Sequence, residues 1–316
     1  MKISFLGAGQ VGGQAAYLAA SEGFADICLY DIREGIAKGK ALDIGQVLAF
    51  SKADSAILGG SDIRMTVGSD VLVVTAGVGR RPGMTREDLL NINASILRSL
   101  LGEALHWSPN ALVIIVTNPV NTMTYMAANI CGIPNTRVIG MAGLLDNARF
   151  AYFIAQELKC GFQAIDSWVI GDHGDRVVPL ASQTTVNGRV LSECLTPEQM
   201  AAVYAKTRSA GTQIVNYLQE GSAFIAPGGA ILKMLRSIVG QDGKPIPCSV
   251  YLTGEYGVSG VVAGVPARVS DRGVQEVVEL AISEQEMADF KRSVEGIQET
   301  NQSLLGLMSD KDEAAM

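Results

Sequence analysis

The sequence predicts an α/β protein in two parts, a doubly wound parallel sheet over residues 1–142 followed by an α+β domain with antiparallel strands over residues 143–309. Three observations carry this. Short apolar strands alternate with helical stretches through the first half. The first strand runs straight into a Gly-x-Gly-x-x-Gly turn. Beyond residue 175 the alternation gives way to a hairpin signal at Asn187-Gly188. With 316 residues, 48% of them hydrophobic and 18% charged, the chain can bury a core for both parts. Residues 310–316 read as a disordered tail.

Lys2 to Leu6 is an apolar strand that leads into Gly7-Ala8-Gly9-Gln10-Val11-Gly12 and a helix to about Ser21. Strand, glycine turn and helix together are the setting for a dinucleotide. The first glycine makes the turn, the second admits a pyrophosphate to the backbone, and the third lets the helix pack closely, so the phosphates meet the positive helix end. The next strand, Asp26 to Asp31, ends on a carboxylate placed to bind the adenosine ribose hydroxyls. Asp31 would repel a 2′-phosphate, which selects NAD over NADP, and Arg33 reads as the solvated start of the following helix. That helix runs to about Phe50, with strand signals near Ser55 to Leu58 and Arg64 to Val67.

Val71 to Gly77 is a buried strand, and the loop after it holds Arg80, Arg81 and Arg86. Three arginines at the end of a sheet strand, in a chain of net charge −7, point to an anion bound there, although a solvated loop has the same composition. Arg86 to about Leu101 is helical with Leu89, Leu90, Leu97 and Leu101 inward. Ala111 to Val116 is fully apolar, as in a sheet covered on both faces. Asn118, before Pro119, is held extended or in a cis turn. It either presents its amide to the crevice or bonds its own turn, and the residues do not separate the two. A further helix and the strand Arg137 to Gly140 complete the series.

Gly143 opens a helix to about Leu158 in which Asp146 and Arg149 lie one turn apart; the plainest reading of that pair is a surface salt bridge. His173, one of only two histidines, stands between Gly171 and Gly174 at the end of the apolar run Trp168 to Ile170. An imidazole there can move a proton near neutral pH or can be a structural turn residue. Val177 to Val186 and Val190 to Leu191 flank the hairpin turn. Thr196-Pro197-Glu198-Gln199 is a capping box opening a helix to about Gln219, Gly221 to Gly229 interrupts, strands lie near Cys248 to Thr253 and Val261 to Ala267, and Ser283 to Glu286 caps a last helix.

The acidic balance, with pI ≈ 5.0, excludes nucleic acid and anionic membrane surfaces as partners. No apolar run has the length of a membrane span. Five scattered cysteines without a C-x-x-C pair indicate neither a disulfide framework nor a metal site, and lead us to expect a reducing, cytoplasmic location.

Taken in order, Gly7 to Gly12, Asp31, Thr75-Ala76-Gly77, Arg80 to Arg86, Val116-Thr117-Asn118-Pro119, Leu145 to Arg149 and Gly171 to Asp175 resemble the lactate/malate dehydrogenase family over nearly the whole chain. The resemblance implies a Rossmann-type NAD-binding domain at 1–142 and a catalytic, substrate-binding domain at 143–309. It implies hydride transfer between NAD and a 2-hydroxy acid, with His173 as proton acceptor and donor, Asp146 orienting it, Arg149 gripping the substrate carboxylate and Arg86 polarising the reacting carbonyl. Asn118 would bind substrate, and the glycine turn, Asp31, Thr75 to Gly77, Asn93 and Val116 to Asn118 would hold NAD. Arg80 stands where lactate-specific members carry glutamine, which favours a dicarboxylate, malate or oxaloacetate; Ala223 replaces their threonine. Arg81 stands where lysine is usual, and Ala151 replaces an arginine tied to sugar-phosphate activation, so none is expected. A homo-oligomer, dimer or tetramer, is implied as well. The competing readings are a lactate or other 2-hydroxy acid dehydrogenase and a non-catalytic NAD-binding protein.

Overall fold

The structure, a computed structural model, describes residues 1–79, 83–240 and 243–314, with side chains as far as Met308. The first half alternates strands and helices: β1 (Lys2–Leu6), α1 (Gln10–Glu22), β2 (Asp26–Tyr30), α2 (Glu34–Ser51), β3 (Ile57–Gly60), β4 (Val71–Val74), α3 (Arg86–Trp107), β5 (Leu112–Ile115), α4 (Val120–Asn129) and β6 (Val138–Gly140). These six strands are parallel in the order β3-β2-β1-β4-β5-β6, and β4 and β5 are buried along their whole length between helical layers. The order reverses at β1, which leaves a crevice at the carboxyl ends of β1 and β4.

The second half holds α5 (Gly143–Leu158), β7 (Ile165–Asp166), β8 (Val169–Gly171), β9 (Val177–Pro179), β10 (Thr185–Val186), β11 (Arg189–Val190), α6 (Pro197–Leu218), α7 (Ile225–Gly240), β12 (Ile246–Thr253), β13 (Ser259–Ser270), β14 (Gly273–Val277) and α8 (Glu284–Ala314). The sheet does not stop between the halves. It continues β6-β12-β13-β8-β9, with Gly140 of β6 paired to Ser249 of β12 and all later pairings antiparallel. A Cβ on Gly140 would lie 2.8 Å from that of Ser249, so the seam needs a glycine.

Local chemistry sets the helix starts. Thr196 and Gln199 form the expected capping box with Pro197 at the first helical position, and Ser283 and Glu286 form the second. Thr85 and Asp88 form a third, which places Arg86 at the start of α3. Asn187 and Gly188 turn the β10–β11 hairpin with φ of 50° and 76°.

Several elements differ from expectation. Arg64 to Val67 is not a strand: the Asp62 carboxylate accepts from the Arg64 amide and starts a 3-10 turn over Ile63–Thr66. The single strand expected from Val177 to Val186 is broken at Leu180, whose carbonyl takes the Thr184 hydroxyl. α7 begins at Ile225, inside the stretch read as an interruption, because Pro227 is tolerated in a first turn and Gly228 lets α1 approach; a Cβ there would lie 2.7 Å from Gln14 Cγ. The last helix, α8, runs as far as Ala314.

Candidate active site

A cavity of about 920 Å³ lies over the carboxyl ends of β1, β2 and β4, lined by Gly7, Gly9, Asp31, Thr75, Ala76 and Gly77 among others. A second, of about 1420 Å³, lies between the two halves and takes in Val11, Val116, Asn118, Arg149 and His173. Gly79 lines both, so they meet there.

The first cavity fits a dinucleotide. Gly7 has φ +111°, in the left-handed region, and a Cβ on Gly12 would stand 2.0 Å from the Gly7 carbonyl oxygen, so neither position accepts a larger residue. Nothing lies within 4 Å of where a Gly9 Cβ would be, which leaves the backbone open to a phosphate. Gly9 caps α1 without a side-chain hydrogen bond and no acidic residue sits in the first turn, so the positive helix end is uncompensated. Asp31, 8% exposed, accepts from the Ala8 amide at 3.0 Å and the Arg33 amide at 2.9 Å, which fixes its carboxylate at the cavity edge. The Thr75 hydroxyl donates to the Gly7 carbonyl and ties β4 to the glycine turn.

In the second cavity the chemistry centres on a buried carboxylate. Asp146 lies in the first turn of α5 with 1% exposure. Its Oδ2 is 2.8 Å from His173 Nδ1, and its Oδ1 accepts from Arg149 Nη1 at 3.1 Å. The Asp146–Arg149 pair is therefore not a surface salt bridge. Asp146 orients both partners at once and leaves His173 Nε2 and the remaining Arg149 nitrogens for a ligand. Burial opposes charging the His173 ring, but the charge and hydrogen bond of Asp146, aided by Asp172, outweigh burial and the repulsion of Arg149, and the pKa is raised above its ordinary 6.5. The ring can keep a proton near neutral pH and give it to a substrate oxygen. The other histidine, His106, is an exposed residue in the last turn of α3.

Residues 1–140 match the lactate/malate dehydrogenase NAD binding domain, and residues 144–304 match the alpha/beta C-terminal domain of the same family. The chain belongs to the lactate/malate dehydrogenase family. A curated malate dehydrogenase of Roseiflexus sp. (strain RS-1) is 43% identical over 94% of this chain and 96% of its own. Among solved structures, malate dehydrogenase of Cryptosporidium parvum is 37% identical with a TM-score of 0.93, covering 96% of this chain and 99% of that one. Lactate dehydrogenase of the same organism, complexed with lactic acid and nicotinamide adenine dinucleotide, is 36% identical with a TM-score of 0.92, over 96% and 97% of the two chains.

Within this lactate/malate dehydrogenase the candidate residues fall into three groups. His173, Arg149, Asn118, Val116 and Val11 line one cavity, with Asp146 buried behind His173, and the Asn118–Pro119 bond is cis, one of the two geometries expected. Gly7, Gly9, Asp31 and Thr75 to Gly77 come together around the other. The rest do not line either cavity. Ala8 and Gly12 are buried beneath the turn, Gln10 is exposed beside it, and Thr117 donates to the Ala76 carbonyl. Asn93 is 1% exposed; its Oδ1 accepts from the Val78 amide and its Nδ2 donates to the Val78 and Asn118 carbonyls, so it ties together the two loops that border the nucleotide crevice. Arg86 is exposed at the start of α3 and lies outside the lining residues, although Gly83 and Met84 of its loop are among them. Arg80 and Arg81 lie outside the described residues.

Three contributors were not legible. Lys40 of α2 reaches over to donate to the Gly9 carbonyl at 2.7 Å, and its burial lowers its pKa. Arg208 of α6 lines the larger cavity while its Nε donates to the Val177 carbonyl. Gly211, one turn on, makes room for Arg149, since a Cβ there would lie 3.3 Å from Nη2. A helical glycine three residues after Arg208 was the one available signal for the last.

Proposed function

We propose that the protein catalyses the reversible, NAD-dependent oxidation of malate to oxaloacetate. The observation that carries this is the single buried carboxylate of Asp146 holding His173 and Arg149 together at the larger cavity, which adjoins the nucleotide cavity at Gly79. When bound, NAD supplies the hydride acceptor at C2 of the substrate. Arg149 binds the C1 carboxylate, with two-pronged geometry that a lysine lacks. His173 Nε2 takes the hydroxyl proton in oxidation and returns it to the carbonyl oxygen in reduction, while Asp146 fixes the tautomer and stabilises the imidazolium. Asn118 hydrogen-bonds the substrate from the other side of the cavity. Arg86 and Arg80 act from their loop, Arg86 on the developing charge and Arg80 on the distal carboxylate.

The preference for a dicarboxylate is supported by Arg80 in the sequence and by curated relatives named malate dehydrogenase. Similarity to a lactate dehydrogenase keeps pyruvate as the comparison substrate. NADH oxidation with oxaloacetate and with pyruvate decides: a larger kcat/KM for oxaloacetate is expected, and a larger value for pyruvate would transfer the protein to the lactate reading. We further propose a cytoplasmic homo-oligomer with domains at 1–142 and 143–309. Phe50 of α2 is 87% exposed and Tyr217 of α6 85%, apolar rings that a second copy would cover. Light scattering should give a mass of at least twice the chain's, and a monomer at all concentrations would remove this part.

A further inference from the structure

The catalytic histidine sits at the tip of a hairpin, and among the described residues one side chain hydrogen-bonds that tip to the nucleotide-binding half. That side chain is Asn121, the second residue of α4 and three residues after Asn118, with 2% exposure. Its Nδ2 donates to Asp172 Oδ1 at 2.7 Å, across the boundary between the halves, and its Oδ1 accepts from the Ser249 hydroxyl of β12. Both ends of the amide are therefore assigned, which fixes its orientation.

Asp172 is the residue before His173. Oδ1 also accepts the His173 amide at 2.9 Å, and Oδ2 accepts from Arg176 at 2.8 Å and 2.5 Å, closing the tip across its own turn. From α8, Ser293 donates to the Arg176 carbonyl at 2.6 Å and accepts from the Asp172 amide at 2.8 Å. Gly296, on the same face of α8, leaves space for the Arg176 guanidinium; a Cβ there would be 2.5 Å from Nη1. The hairpin is thus braced within its own half by α8, and among the described residues Asn121 supplies its hydrogen bond to the half that carries the Asn118 turn.

We propose that Asn121 and Asp172 are positioning residues, a latch that sets where His173 stands relative to Asn118 and the bound nucleotide. Neither is among the residues lining the substrate cavity. The inference rests on the dehydrogenase reaction proposed above. An asparagine donates where an aspartate would set a second carboxylate against Asp172, and two carboxylates at this distance ionise together only at a cost to the contact. The groups facing the pair are Arg176 and His173 on the hairpin, Ser249 on β12 and Ser293 on α8, with Asp146 and Arg149 of α5 beyond His173. Among the described residues Arg176 is the one cation paired with Asp172.

The test uses the full chain, with Asn121→Ala and Asn121→Asp beside the wild type. Hydrogen exchange by mass spectrometry reads the 169–177 hairpin without any substrate. Steady-state rates and NADH fluorescence titration read kcat and nucleotide affinity separately. Asn121→Ala is expected to speed exchange of the hairpin, to lower kcat by about tenfold and to leave the Kd for NADH within about twofold, since a small misplacement of a catalytic group costs turnover and the nucleotide site is separate. Asn121→Asp is expected to approach wild-type turnover at low pH, where the two carboxylates share a proton, and to lose it as pH rises and both ionise. Unchanged hairpin exchange in Asn121→Ala would overturn the latch, as would a loss in Asn121→Asp that does not depend on pH. If the wild type reduces neither keto acid, the assigned reaction falls while the exchange experiment still decides the latch.

Discussion

Asp146 Oδ2 stands 2.8 Å from His173 Nδ1, across 27 positions of the chain, and is buried on arrival. The pair makes the enzyme's pH dependence directional. His173 titrates above its ordinary value, so its pairing energy is fully present below about 6.5 and is lost as pH rises through the raised pKa. Reduction of the keto acid needs the protonated ring and should decline along that same limb, while oxidation should rise. Asp146→Asn removes the favourable charge but leaves the burial, and should move the alkaline limb of kcat/KM for reduction to lower pH with turnover down by roughly 10²-fold. An unmoved limb would assign the titration to another group.

Asp31 predicts cofactor choice. Its carboxylate is held by the Ala8 and Arg33 amides and cannot turn away from a ribose 2′-phosphate. NADH should be preferred over NADPH by about 2 kcal/mol or more in transition-state terms. Arg33 lies 3.7 Å from the same carboxylate with 68% of its side chain exposed, and comparable efficiency with both cofactors would mean that it accommodates the phosphate instead.

Gly211 predicts a selective loss. The methyl group of Gly211→Ala would meet Arg149 Nη2 at 3.3 Å, close enough to displace the guanidinium, while the Asp146–His173 contact is made by the other carboxylate oxygen. KM for the keto acid should rise by about three- to tenfold, a cost of about 1 kcal/mol, with a smaller change in kcat. Equal falls in kcat and nucleotide affinity would indicate a general disturbance of α6.

Glu286 predicts where acid weakens the fold. It is 8% exposed; burial pushes its pKa up, but hydrogen bonds from Ser182 and Ser283 outweigh this and hold it below the ordinary 4.5. Its contribution is present above about 4.5 and is lost as pH falls through the depressed value. Glu286→Gln should cost about 1–3 kcal/mol in urea unfolding at neutral pH, and the gap should narrow in acid. A gap that is constant with pH would show that the charge is not what matters.

The parallel half was legible because its signals are local. A Gly-x-Gly-x-x-Gly between strand and helix constrains φ and close approach at fixed positions, and Asn187-Gly188 does the same for a hairpin. The depth of Asp146 was not legible, because Asp-x-x-Arg reads alike on a surface and in a core. Only the packing of α5 beneath β12 and α6, residues much later in the chain, decides which it is. The depth of Asn93 was not legible for a related reason: a buried amide must find partners, and it takes the Val78 and Asn118 backbones, which only the fold brings to it. Arg64 to Val67 alternates like a strand, yet Asp62 offers the Arg64 amide a closer acceptor than any neighbouring strand.

The pairing of Gly140 with Ser249 means that the strand closing the nucleotide-binding sheet, β12, belongs to the half that carries the histidine. The two halves therefore cannot melt in turn: freeing β12 to unfold one exposes the edge of the other. Heat or denaturant should meet a single cooperative unit, and any nucleotide that binds the native state will protect the distant hairpin as much as the site it occupies.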